Sequence, residues 1–359
     1  MTNKIQNMLP SKQKVFIVAE IGKSFIQTEA EQSVDEYLDN ARALVRAAYE
    51  AGADAVKFQT HRVDDEQLNV SAISPHFSHV QRYAWVKRNS EATPLRFWQE
   101  IKNYADELGI LFFSTPMSRG AAQLLEKVGM PVWKVASSDI LDFVLLDYIA
   151  ATGKPIIIST GMSTPEELDM AMDFLKQRTN DIILLHCVSK YPCPPNELYL
   201  DTIPYLAKKY AVPVGFSDHS IGIESSIAAV GKGACIIERH FSFSRDLWGS
   251  DHKVSMTPPE LKQMGVAIRR RDYIDPSQFG AGVKVLDENE SALRPVFRKS
   301  LVAGQDIKAG DKLTKEMLYA MRPQLNYLAL PSQSYIDILG KIALKDLKKF
   351  EPITNEILQ

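Results

Sequence analysis

Residues 155–187 read PIIISTGMSTPEELDMAMDFLKQRTNDIILLHC. Pro155–Thr160 and Ile182–Cys187 are short apolar runs rich in Ile and Leu at successive positions, the pattern of a strand buried on both faces. Between them, Ser163-Thr164-Pro165-Glu166-Glu167 opens a helix. It combines a capping hydroxyl, a proline in the first turn and two acids near the positive end of the dipole. The stretch is one β–α–β unit.

The same unit recurs outward in both directions. Further apolar runs are Val15–Gly22, Ala55–Thr60, Ile110–Pro116 and Val132–Ser137 on one side, and Pro213–Asp218 and Cys235–Phe241 on the other. Helical stripes lie between them, such as Tyr37, Ala41, Leu44, Val45 and Ala48, or Phe97, Ile101, Tyr104 and Leu108. Gly52, Gly109, Gly129 and Gly153 stand where helices should stop. Eight such units predict an α/β fold, a (β/α)8 TIM barrel over residues 1–275. A doubly wound open sheet is the rival. The count of eight and the lack of a G-x-G-x-x-G after the first strand argue against it.

The pattern changes near residue 275. Residues 276–290 read as a linker, and residues 291–359 as a small β-rich domain with Gly turns, of roughly 70 residues. That segment holds 11 Lys/Arg against 7 Asp/Glu, a difference of 11 − 7 = +4. A modestly basic module against a barrel would help hold an anion, although a solvated surface explains the charge equally well.

The whole chain has 359 residues, 45% hydrophobic and 24% charged, with a net charge of −2. Those values describe an ordinary globular protein and give no reason to expect nucleic acid as a partner. No apolar run is long enough to span a bilayer, and Met1–Lys14 has no apolar signal core, so a cytoplasmic location is expected. Cys187, Cys193 and Cys235 are read as reduced packing residues.

Reactive groups of a TIM barrel sit at the C-terminal strand ends. Here those ends carry Glu20, Lys57, Gln59, Thr115, Lys134, Ser137, Ser159, His186, Ser217, His219 and His240. Lysines inside apolar strands are costly unless compensated. Lys57 and Lys134, with the surrounding hydroxyls, suggest an anion cradle. The plain alternative is ion pairing with Glu20, Asp139 or Glu238. His219 and His240 end adjacent strands and can share a divalent metal, with Asp218 or Asp251 in support. His186 is the weaker candidate, buried beside Cys187. Glu20 is the natural general acid/base, or else a counter-charge for a lysine.

Taken in order, Ala19-Glu20-Ile21-Gly22, Ala53–Thr60, Phe113–Pro116, Ile158–Met162, Leu185–Cys187, Gly215–Ser220 and Glu238–Phe241 closely resemble the N-acetylneuraminate (sialic acid) synthase family. Ile307-Lys-Ala-Gly-Asp, Arg322-Pro323 and Leu339-Gly340-Lys341 resemble its antifreeze-like SAF domain. The resemblance implies condensation of phosphoenolpyruvate (PEP) with an open-chain N-acylhexosamine such as N-acetylmannosamine. The products would be a nonulosonic 2-keto acid and phosphate. It implies PEP on Lys57, Thr115, Lys134, Ser137, Ser159, Ser189 and Ser217, with Ser189 standing where the family has Asn. It places a metal, Mn²⁺ or otherwise Mg²⁺ or Co²⁺, on His219 and His240. Gln59, Tyr191, Asp251 and Arg322 would face the sugar beside Glu20. It also implies a domain-swapped homodimer in which the partner chain lends Arg322.

The sequence departs from the family pattern at Gly22-Lys23-Ser24-Phe25-Ile26-Gln27-Thr28, at Ser138-Asp139, and at Arg322–Tyr327. These lie on the sugar side, so a different aldose is one expectation, legionaminic-type acceptors included, and neutral loop drift is the other. A non-catalytic sugar-phosphate-binding protein is the reading from another functional class.

Overall fold

The computed structural model describes residues 14–74, 77–325 and 328–359. Its centre is a barrel of eight parallel strands: β1 Phe16–Gly22, β2 Ala55–Thr60, β3 Leu111–Pro116, β4 Trp133–Val135, β5 Ile156–Ser159, β6 Ile182–Cys187, β7 Val214–Asp218 and β8 Ile236–His240. Each coincides with one predicted run or lies inside it. The hydrogen-bonded order is β3-β2-β1-β8-β7-β6-β5-β4, and β3 packs beside β4 where the ring closes. β2, read as six apolar-rich residues, is buried throughout except at Gln59. That is what enclosure between a barrel interior and an outer helical layer demands.

The outer layer contains α1 Val34–Glu50, α2 Arg82–Ala92, α3 Leu95–Leu108, α4 Arg119–Glu126, α5 Phe143–Ala151, α6 Pro165–Lys176, α7 Thr202–Tyr210, α8 Glu224–Gly231 and α9 Pro258–Arg270. α6 starts as read: Thr164 caps it, Glu167 closes the capping box, and Pro165 occupies the first turn. Tyr37, Ala41, Leu44, Val45 and Ala48 face inward from α1. No described helix is long and apolar enough to cross a membrane.

The segment expected to be a linker is largely exposed and is anchored at its last residue. Glu290, in α10 (Glu288–Phe297), is fully buried and accepts from the backbone amides of Met162 (3.0 Å) and Ser189 (2.8 Å). Lys284 pairs with the same carboxylate at 2.9 Å. Isolated in a barrel wall this acid would be expensive, so the contacts fix how the chain leaves the barrel.

Beyond α10, β9 (Ser300–Ala303) pairs antiparallel with β10 (Leu318–Met321) around a core of Leu301, Ile307, Leu313, Leu318, Leu347 and Ile353. This small domain sits over the C-terminal mouth of its own barrel. The Arg322 backbone pairs with Glu66–Leu68: Leu68 donates to Arg322 O and Arg322 donates to Glu66 O, both at 2.8 Å. Leu68, Val302 and Met321 make a separate apolar contact across the joint. Asn326 and Tyr327, within the departing loop, lie outside the described residues.

Candidate active site

Every residue that the resemblance assigns to catalysis, PEP, sugar or the His219–His240 pair lines one cavity at the barrel mouth. At its floor are two lysines and two carboxylates. Lys57 lies 2.7 Å from Glu20 and 3.6 Å from Glu238, while Lys134 lies 3.8 Å from Glu238. Lys57 donates to Thr115 Oγ1 at 3.2 Å, and Lys134 to Ser159 Oγ at 2.6 Å. Ser217 donates to Glu238 at 3.1 Å and Gln59 to Glu20 at 2.8 Å. Ion pairing was the plain alternative for the lysines, and it holds without an external ligand. It also leaves both ammonium groups facing the cavity.

Burial raises the Glu20 carboxyl, and Glu238 adds to that, against the opposing pull of Lys57. Burial lowers Lys134, and the nearby Lys57 charge lowers it further, against Glu238. For Lys57 burial is outweighed by Glu20 and Glu238, and the group is held above its ordinary value. Glu20 is thus the carboxyl most ready to carry a proton, and Lys57 a fixed positive charge.

The hydroxyl wall depends on Gly161. Its amide donates to Ser137 Oγ at 3.0 Å. A Cβ at that position would stand 2.2 Å from Ser189 Oγ and 2.7 Å from Ser137 Oγ. Only glycine lets the two serines converge there. Gly22, with φ of 53°, similarly turns the chain where a Cβ would press on Glu20 and Gln59.

His219 and His240 face each other with ring centroids 5.4 Å apart, and Tyr191 lies against His219 at 4.1 Å. His219 Nδ1 is 2.9 Å from the Val188 carbonyl. A carbonyl only accepts, so Nδ1 carries the proton and Nε2 keeps its lone pair. The other ring, His240, has a buried Nδ1 with no hydrogen-bond partner, and burial pushes its pKa down to about 3. Nε2 of His219 and the unpartnered Nδ1 of His240 are nitrogens that fit a metal whose remaining positions go to water and substrate. The described residues contain no group of three or more His, Cys, Asp or Glu set to hold a metal. Asp218, expected to support the histidines, is instead consumed by Arg239 at 2.6 Å and by Ser225 and Ser226. His186 is buried against the Leu198 carbonyl at 2.6 Å, away from the cavity, as its plainer reading had it.

Arg322, expected to serve a partner chain's barrel, lies within this single chain at the mouth of its own barrel. The exit through α10 and the backbone pairing with Leu68 hold β10 there. Its guanidinium is committed to Asp139 (2.7 Å), Glu66 (3.1 Å) and Ser138 (2.9 Å), so it closes the mouth through ion pairs. Lys299 completes this buried set, at 3.0 Å from Asp139 and 2.7 Å from Asp142. Cys187 was read as packing, but its thiol lines the cavity 3.6 Å from Ser137 Oγ and 3.9 Å from His219 Nδ1. Sequence reading also missed Lys23, His61 and Arg82 as cavity residues. Lys23 lies in the loop already marked as unusual, which was the available signal.

Residues 44–275 match the NeuB family model, and residues 298–358 match the SAF domain. The chain is 34% identical over 343 residues to N,N'-diacetyllegionaminic acid synthase of Campylobacter jejuni, covering 92% of this chain and 99% of that one. It is 34% identical over 342 residues to pseudaminic acid synthase of the same species, covering 93% and 94%. With N-acetylneuraminate-9-phosphate synthase of Mus musculus it shares 30% over 354 residues, covering 97% and 94%. Among solved structures, spore coat polysaccharide biosynthesis protein spsE from Bacillus subtilis superposes with a TM-score of 0.76 at 28% identity, covering 96% and 95%. N-acetylneuraminic acid synthetase from Leptospira borgpetersenii, in complex with citrate, gives 0.63 at 30% identity, covering 79% and 90%. With its barrel, its mouth of paired lysines and its capping small domain, the chain belongs to the NeuB family and carries a SAF domain.

Proposed function

We propose that the protein is a nonulosonic acid synthase that condenses PEP with an open-chain aldose and releases phosphate. The observation that carries the reading is the floor of the cavity, where Lys57 and Lys134 sit with Thr115, Ser137, Ser159, Ser189 and Ser217 around them. This set suits the carboxylate and phosphate of PEP. Names of relatives up to 34% identical agree with a sugar-acid synthase.

The carbon–carbon bond forms between C3 of PEP and the aldehyde carbon of the sugar. Water then adds at C2, and the C2–O bond to phosphate breaks. Glu20, whose carboxyl is raised by burial, gives a proton to the oxygen that was the aldehyde. Lys57 and Lys134 hold the phosphate and carboxylate charge as the enol carbon becomes cationic, and Glu238 stands close enough to both to favour that cation. Gln59 fixes the Glu20 carboxylate, and Tyr191 and Asp251 line the sugar side. A divalent ion on His219 and His240, Mn²⁺ by preference, would supply Lewis-acid polarisation of the aldehyde oxygen. The small domain shields the mouth from water.

The test is phosphate release from PEP with Mn²⁺ across a panel of aldoses, with product masses. Sugar-dependent release of a product weighing sugar plus pyruvate is expected. PEP binding without turnover of any aldose would favour a binding protein.

A further inference from the structure

A second cavity, of about 670 Å³, opens outside the barrel mouth, where α4 and α5 meet the small domain. It shares no lining residue with the barrel-mouth cavity. Gln123, Lys127 and Tyr148 come from the barrel side, and Lys315, Tyr319 and Tyr335 from the small domain. The two walls are already joined. Arg119 donates to the carbonyls of Lys315 (2.6 Å) and Leu318 (2.9 Å), its guanidinium lies 5.6 Å from the Tyr319 ring centroid, and Lys315 pairs with Asp147.

The lining narrows the occupant. Tyr335 is 1% exposed, and its hydroxyl has no hydrogen-bond partner among the described residues. Burial, helped by the Asp147 charge, raises its pKa, so the hydroxyl stays a neutral donor. Among the same residues the hydroxyls of Tyr148 and Tyr319 are also uncommitted. A buried hydroxyl without a partner is costly, and three that open on one cavity suit a ligand that supplies the partners. Arg62, Arg119, Lys127 and Lys315 are matched in number by Asp64, Asp65, Asp147 and Glu316. A phosphate would therefore meet as many carboxylates as cations, and an apolar ligand would bury both kinds of charge. A polyhydroxylated ring satisfies the whole set. Its hydroxyls donate to the carboxylates and accept from the cations, amides and tyrosines, while its C–H faces lie on the aromatic rings. The volume falls in the small-molecule range of roughly 300–1,000 Å³, and a joint between two domains is a common place for such a site.

We propose that this groove is a second saccharide site, taking a neutral or singly charged sugar, either an N-acylhexosamine or a sugar acid. Its occupant braces the small domain against the barrel. The site has no residue in common with the proposed condensation and does not depend on it.

Calorimetric titration of the full-length protein with N-acetylmannosamine and with N-acetylneuraminic acid tests this in wild type, Tyr335→Phe, Gln123→Trp and the barrel-mouth variant Gln59→Ala. One of the sugars is expected to show a binding event that survives Gln59→Ala. Its affinity should fall about threefold to tenfold in Tyr335→Phe, the effect of one hydrogen bond. It should vanish in Gln123→Trp, whose indole would fill the groove from an exposed helical position. Which sugar binds decides between the hexosamine and the sugar acid. That sugar should raise the melting temperature of wild type more than that of Gln123→Trp. Tyr335→Phe removes only an uncommitted hydroxyl, so without sugar it should melt with wild type, and circular dichroism checks the fold of Gln123→Trp. Undiminished affinity in both groove variants, loss of all binding in Gln59→Ala, or no binding of either sugar would overturn the saccharide site. A changed oligomeric state in the groove variants with sugar binding intact would overturn it too, and would assign the groove to a second copy of the chain. None of these outcomes touches phosphate release from PEP, which tests the condensation separately.

Discussion

One nitrogen of the Arg322 guanidinium lies 2.7 and 2.8 Å from the two carboxylate oxygens of Asp139, joining the SAF domain to the end of β4 in the same chain. Both residues are buried, and Glu66 and Lys299 extend the network. Asp139 belongs to the Ser138-Asp139 pair at which the sequence departs from the family pattern, and it serves as the counter-charge of Arg322.

A lid closed in cis makes a clear prediction. If the lid closes in cis, Lys134→Ala and Arg322→Ala, each impaired alone, should not complement each other when mixed. Turnover of the mixture well above the sum of the two variants would place Arg322 on a partner's barrel. Arg322→Ala should also cost about 3–5 kcal/mol of stability in denaturant unfolding, since it strands a buried Asp139.

Gly161 allows a finer test of the hydroxyl wall. A Cβ there would displace Ser189 and Ser137, both on the PEP side. Gly161→Ala should raise the KM for PEP by about tenfold while changing that of the aldose less. An unchanged PEP KM would take the two serines out of the PEP site.

The strand ends were legible because a parallel barrel strand, buried on both faces, is apolar until its last residues, where polar groups turn to the cavity. Lys57, Lys134, His219 and His240 stand out for that reason. Arg82 does not. It begins a helix whose sequence is mostly polar, and only the tertiary fold turns that end inward. The docking of Arg322 was equally hidden, because its partners Glu66 and Asp139 lie 256 and 183 positions away. Glu290 was lost within an apparent linker because an acid at the end of the run Asp287-Glu288-Asn289-Glu290 reads as solvated surface and gives no sign of the backbone amides it will meet.

The histidine pair predicts metal dependence. Chelation should abolish turnover, and Mn²⁺ should restore it. His219→Ala should lose Mn²⁺ binding by calorimetry while keeping the wild-type circular dichroism. Tight Mn²⁺ binding in His219→Ala would move the metal elsewhere.

His186 gives the last prediction, on stability. Burial drives its pKa down to about 4, against the hydrogen bond with Leu198 that favours the charged ring. The unfolded chain, with an ordinary histidine near 6.5, therefore binds more protons between those limits. Stability from the neutral ring is complete above about pH 6.5 and is lost as pH falls towards about 4, on the order of 3 kcal/mol in all. Denaturant midpoints across that range should fall more steeply for wild type than for His186→Gln, which has no proton to take up. Parallel slopes would show that His186 is already charged in the folded protein, or neutral in both states.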